Sequence, residues 1–98
     1  MLYQLYSVHD DVANLYFPPV CERNEVSAKR NFEVSMLTSN PQIPNFNKDD
    51  YSLYFVGSFD DEFGDVVSTP KPNLVLRGLD CVLRQHSYFE GGSDDLPD

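Results

Sequence analysis

Tryptophan is absent from this chain, and cysteine, methionine and histidine occur only twice each among its 98 residues. Cys21 and Cys81 stand far apart and form no CxxC pair, which excludes a stapled scaffold, a zinc ribbon and a dithiol redox site. Both are expected as buried free thiols in a reducing compartment. Basic side chains are scarce as well: seven Lys and Arg face sixteen Asp and Glu, giving a net charge of -9 and a pI near 4.4. A surface of that sign repels phosphate at long range and disfavours direct binding of nucleic acid. No run approaches the roughly 20 apolar residues needed to span a bilayer, and no basic segment leads into an apolar one at the N-terminus. A soluble chain without its own signal is therefore expected.

Catalytic signatures are missing too. There is no GxSxG elbow, P-loop, GxGxxG turn or HExxH helix, and His9 and His86 are the only histidines that could act as bases. His9 lies beside Asp10 and Asp11, which favour its protonated form, and is expected as a solvated turn residue rather than a catalytic one. The acids Asp60, Asp61, Glu62 and Asp65 lack the alternating spacing of a calcium loop and are expected to solubilise a turn. Neither an enzyme activity nor a metal or cofactor is expected.

What is present suffices for a folded domain. Hydrophobic residues make up 41% and aromatics 13%. A chain this short buries only about 60–65% of its unfolded surface, so the core should be thin. One domain over residues 1–84 and an acidic flexible tail over 85–98 are expected, with Tyr88-Phe89 as the tail's only docking feature.

The stretch from Asp49 to Gly64 is the best-patterned element. Tyr51, Leu53, Phe55, Gly57 and Phe59 fall on one side of an extended chain, and a turn over Asp60–Gly64 leads into a second extended run, Asp65 to Thr69. Leu2 to His9 alternates as another strand, and Leu15-Tyr16-Phe17 returns beside it until Pro18-Pro19 ends the ladder. Asn24 caps a helix that runs to about Thr38. Ala28, Phe32 and Met36 form its core stripe. Val26, Val34 and Leu37 project from the far side, with Arg30 and Glu33 between them. Ser39 to Lys48 is a loop with Ile43 and Phe46 as plugs onto the core. Pro70-Lys71-Pro72 is a rigid connector, and Asn73 to Leu83 is a last core segment, strand-like first and helical or turning after Gly78. The fold class is α+β: a small antiparallel sheet of two hairpins, one main helix packed on it, and a disordered acidic tail.

Two functional readings follow. The second apolar side of the helix, Val26, Arg30, Val34 and Leu37, offers a contact surface for another protein or a second copy of the chain. Alternatively, sheet aromatics, Tyr54 and Phe55 above all, with Tyr3 and Tyr6, stack the bases of single-stranded DNA while Lys29, Arg30, Lys48 and Arg77 take the phosphates. The remaining basic residues, Arg23, Lys71 and Arg84, are spread along the chain.

An ordered set of residues adds a resemblance. Tyr6-Ser7-Val8 with Asp10, then Ala13, Tyr16 and Pro18-Pro19, then Asn24, Ala28, Arg30 and Phe32, then Asp50-Tyr51, Leu53, Gly57, Phe59-Asp60, Gly64 and Pro72, resembles the small nonstructural protein of gokushoviruses. These are microviruses with circular single-stranded DNA genomes that infect bacteria, Chlamydia among them. The resemblance covers residues 3 to about 83. It departs at the helix end, where this chain has Thr38-Ser39-Asn40-Pro41, and at His9. It implies a non-enzymatic early protein of the host bacterial cytoplasm, absent from the virion. Its role would lie in genome replication or in the switch to single-strand synthesis and packaging, with a viral or host protein of those processes as partner.

Overall fold

Strand β1 (Leu2–Asp10) is central to a five-stranded antiparallel sheet. The computed structural model describes residues 1–38 and 46–82; Ile43 and the tail with Tyr88-Phe89 lie outside them. Two short strands, β2 (Leu15–Tyr16) and β3 (Val20–Glu22), share one edge of β1, separated by the prolines that cannot donate to it. Along the other edge runs β4 (Tyr51–Asp60), and β5 (Asp65–Arg77) is outermost. The turn from β4 to β5 closes on Gly64, whose φ of 72° is the left-handed conformation that residues with a Cβ resist. Its N–H donates to the Asp60 carbonyl oxygen at 2.8 Å, and the Asp60 carboxylate accepts from the Glu62 N–H.

The alternation expected along β4 breaks at one residue. Leu5 of β1 faces Gly57, yet the next residue, Tyr6, faces Phe55, so Val56 is the extra residue of a bulge. Directly opposed residues share a face, so Tyr51, Leu53 and Phe55 lie on the side of Tyr6 and Val8. Gly57 and Phe59 lie with Tyr54 on the other. The five residues expected on one face are thus divided between two. The connector is likewise corrected. Strand β5 continues through Pro70 and Pro72, but its partnership with β4 jumps from Ser68 to Asn73, so residues 69–72 stand off the ladder at an outer edge, where a missing N–H leaves nothing unpaired.

Helix α1 (Glu25–Leu37) crosses the face that carries Tyr6 and Leu53. It begins where Asn24 Oδ1 accepts from the Ser27 N–H at 2.8 Å, with Glu25 next to the positive end of the dipole. Ala28, Phe32 and Met36 are buried there against Tyr6, Leu53 and Cys81, and this cluster is the core. The buried arc is wider than the narrow stripe expected. It reaches round to Glu33, which is 4% exposed, and Leu37 packs against the cluster rather than projecting from the far side. Phe46 stacks on Tyr51 at 5.3 Å and seals the end of the same core, as its expected role of plug requires.

Two single turns of 3-10 helix, Lys48–Asp50 and Gly78–Asp80, lie against each other beyond the ends of β4 and β5. Cys81 follows the second and is buried; Cys21, also expected inside, is exposed on β3, because its position opposite Leu5 turns it away from the helix.

Candidate functional site

The outer side of α1 presents two exposed valines with an arginine between them. Val26, Arg30 and Val34 follow one another at four-residue spacing, and the two valines are 76% and 46% exposed. Leu37 does not join them, being held by the core. Lys29, next to Arg30, pairs with Glu25 across one helical turn at 3.1 Å.

The residues that would contact single-stranded DNA are not gathered. Tyr54 and Phe55 are consecutive in a strand and point to opposite faces. Phe55 meets Tyr6 on the helix side at 5.5 Å, and Tyr54 meets Tyr16 edge-on at 5.5 Å on the other. Tyr6 itself is 1% exposed and offers no ring face to a base. Lys29, Lys48 and Arg77 each stand beside a carboxylate. Lys29 has Glu25, Lys48 has Asp49 at 3.2 Å, and Arg77 has Asp80 at 3.4 Å. Lys48 also donates to the carbonyl oxygens of Gly78 and Leu79, which makes it a cap for the second 3-10 turn.

The second face of the sheet holds a polar cluster that the sequence reading did not assemble. Asp11 Oδ1 lies 2.6 Å from His9 Nδ1, and Asp11 Oδ2 accepts from Ser52 Oγ at 2.8 Å. His9 Nε2 faces Asn14 Oδ1 at 3.1 Å. Asn14 adopts a φ of 60°, which asparagine tolerates better than most residues, and so closes the β1–β2 turn over the ring. His9 is 8% exposed, so it is a buried, fully partnered residue and not the solvated one expected. The Asp10-Asp11 and Asn14 turn pattern was the only signal for it. Chemically the carboxylate stands between hydroxyl and imidazole, so the ring has no contact with Ser52 through which to take its proton. Removing the bridge with Asp11→Ala leaves two buried groups unpaired and is expected to cost about 2 kcal/mol, read from the urea midpoint.

Two tyrosines hold their protons more tightly than usual. Burial raises Tyr6, helped by Glu25 and Glu22; burial also raises Tyr54, helped by Tyr16 and Asp11. The unfolded chain releases these protons near the ordinary value of about 10, whereas the folded chain keeps them, so the contribution of these two groups to stability should be level up to about pH 10 and fall above it. Urea unfolding followed through that range, beside the phenolate absorbance, checks the order of events.

Among the described residues no group of three or more His, Cys, Asp or Glu side chains converges as metal ligands would, and no helix is long and apolar enough to cross a membrane. Comparison with protein families gave a match to a model described as Phage ORF5 protein, over residues 3–81. Comparison with curated proteins, and with solved structures, gave no match.

Proposed function

The chain belongs to the Phage ORF5 protein family, whose model spans most of its length, and from that premise we propose that it is a nonstructural protein of the gokushovirus kind. In this reading it is a non-enzymatic interaction module in the host bacterial cytoplasm, outside the virion. It engages a viral or host protein of genome replication or packaging. The observation that carries the reading is the exposed stripe Val26–Arg30–Val34, two valines flanking an arginine on the outside of a helix whose opposite side packs on the core. The charge agrees with it, since a net -9 favours basic protein surfaces over phosphate.

The double variant Val26→Asp with Val34→Asp tests this. Both positions are exposed, so circular dichroism should show an unchanged fold, while co-purification of the partner from phage-infected cells should fall by about tenfold or more. Leu37→Asp, by contrast, should unfold the chain because its site faces the core. Co-purification that survives the double variant would remove the stripe from the interface. Steep, salt-sensitive binding of a single-stranded oligonucleotide in fluorescence anisotropy would instead favour a DNA-binding role.

A further inference from the structure

A cleft of about 300 Å³ opens between α1 and β3, on the flank of the helix next to the exposed stripe. Its floor is the outer skin of the core: Tyr6, Ala28, Phe32 and Leu53. Its mouth is polar and acidic. Asn31 Nδ2 reaches across from the helix to both oxygens of Glu22 on β3, at 3.2 and 3.0 Å. That contact fixes the carboxylate at the rim, and among the described residues no lysine or arginine pairs with it. Glu25 stands close enough that it and Glu22 together help hold the Tyr6 proton in place, so their field reaches the floor.

From this arrangement we infer that the cleft seats one large apolar side chain of a protein partner whose neighbouring residues are lysine or arginine. The inference rests on the interaction reading above and names the chemistry of the partner. The volume is at the low end of ligand sites, about 300–1,000 Å³, which suits one aromatic or long aliphatic side chain rather than a nucleotide or a large cofactor. The floor rewards an apolar group, since Tyr6, Ala28, Phe32 and Leu53 line it largely with carbon. The Glu22 carboxylate, oriented by Asn31, rewards a cation just outside the mouth. The excess of acid over base in the whole chain draws a basic segment in and repels an acidic one.

The test uses a labelled peptide, Lys-Lys-Phe-Lys-Lys, titrated into nitrogen-15-labelled full chain at low salt, to about 5 mM. Amide shifts should gather at Val8, Val20, Asn31 and Ser35, around the cleft. A peptide with alanine in place of the phenylalanine should lose them, and a peptide with glutamate in place of every lysine should not bind. Two variants act on the site without touching the floor. Glu22→Arg reverses the rim, and Ser35→Phe, at an exposed position, places a ring in the mouth; each should weaken binding about tenfold while the thermal midpoint stays put. No binding, equal binding of the acidic peptide, shifts elsewhere on the chain, or indifference to both variants would each overturn the inference. So would a cleft-centred response to a thymidine oligonucleotide. In phage-infected cells the two readings separate. A partner retained by Ser35→Phe but lost by Val26→Asp with Val34→Asp ends the cleft assignment and leaves the interaction role standing. If no partner is captured even by the wild type, the interaction role itself fails, whatever the peptide does.

Discussion

Replacing Gly78 with alanine is expected to cost about 3 kcal/mol or more, which for a chain of this size lowers the thermal midpoint by on the order of 15 °C. A Cβ at this position would fall inside the van der Waals shell of the Lys48 carbonyl oxygen and 2.8 Å from that of Tyr51. Both neighbours are backbone, so neither can swing aside. The clash would push apart the two 3-10 turns, and with them three further contacts: Lys48 Nζ on the carbonyls of Gly78 and Leu79, and Cys81 in the core one step later. Far-ultraviolet and near-ultraviolet dichroism during thermal unfolding would separate loosening of this corner from global loss. A midpoint within about 3 °C of the wild type would mean that the turns have room to part.

That corner also shows where sequence reading stops. A glycine inside an ambiguous apolar segment is legible as a weak point for a helix, which leaves both a helix and a turn open after Gly78. What requires the glycine is a backbone segment thirty residues earlier, and nothing local in Asn73–Asp80 announces that approach. The same limit accounts for β4. Its period-two pattern identifies a strand correctly, but the bulge at Val56 is a property of the pairing with β1, set by how Leu5 and Tyr6 meet Gly57 and Phe55. One extra residue exchanges the faces beyond it. The pair Tyr54 and Phe55 as a single stacking platform fails on something simpler, since neighbours in a strand face opposite ways.

Local signals fared best where the physics is local. Asn24 caps its helix because its side chain needs only the N–H three residues on, and the Asp60–Gly64 turn needs only its own backbone. The outward valines were legible for a related reason. Val34 lies opposite the Ala28–Phe32–Met36 stripe on the helical wheel, whereas Leu37 falls between Val26 and Arg30 on that wheel and is nevertheless packed on the core, because at the last helical residue the neighbouring elements decide the outcome. The His9–Asp11–Ser52 cluster combines both cases. The two acids of the turn are visible in sequence, but Ser52 comes from β4, and only the register His9 opposite Ser52 brings it in.

Phe32→Ala is expected to remove about 3–5 kcal/mol, the range for a buried phenylalanine whose surroundings collapse only partly. For most domains that would be a serious loss; here it approaches the whole. Total stability is about 5–15 kcal/mol in general, and small domains with thin cores lie at the lower end. The buried apolar set under α1 is Tyr6, Ala28, Phe32, Met36, Leu53 and Cys81, and Phe32 is the one large side chain that the helix contributes apart from Met36. It also forms part of the cleft floor, so the cavity left by truncation would open into the cleft and admit water instead of closing. The midpoint should fall by roughly 15–30 °C, leaving the variant partly unfolded at growth temperature. Phe32→Leu, which keeps most of the volume, should lose less than half as much. Val26→Ala, on the exposed stripe of the same helix, should stay within about 0.5 kcal/mol of the wild type. If Phe32→Ala and Val26→Ala shifted the midpoint equally, the helix would not be anchored through this face. The assignment of the outer stripe to a partner would then lose its basis, because the stripe is free for a partner only if the opposite side alone holds α1 to the sheet.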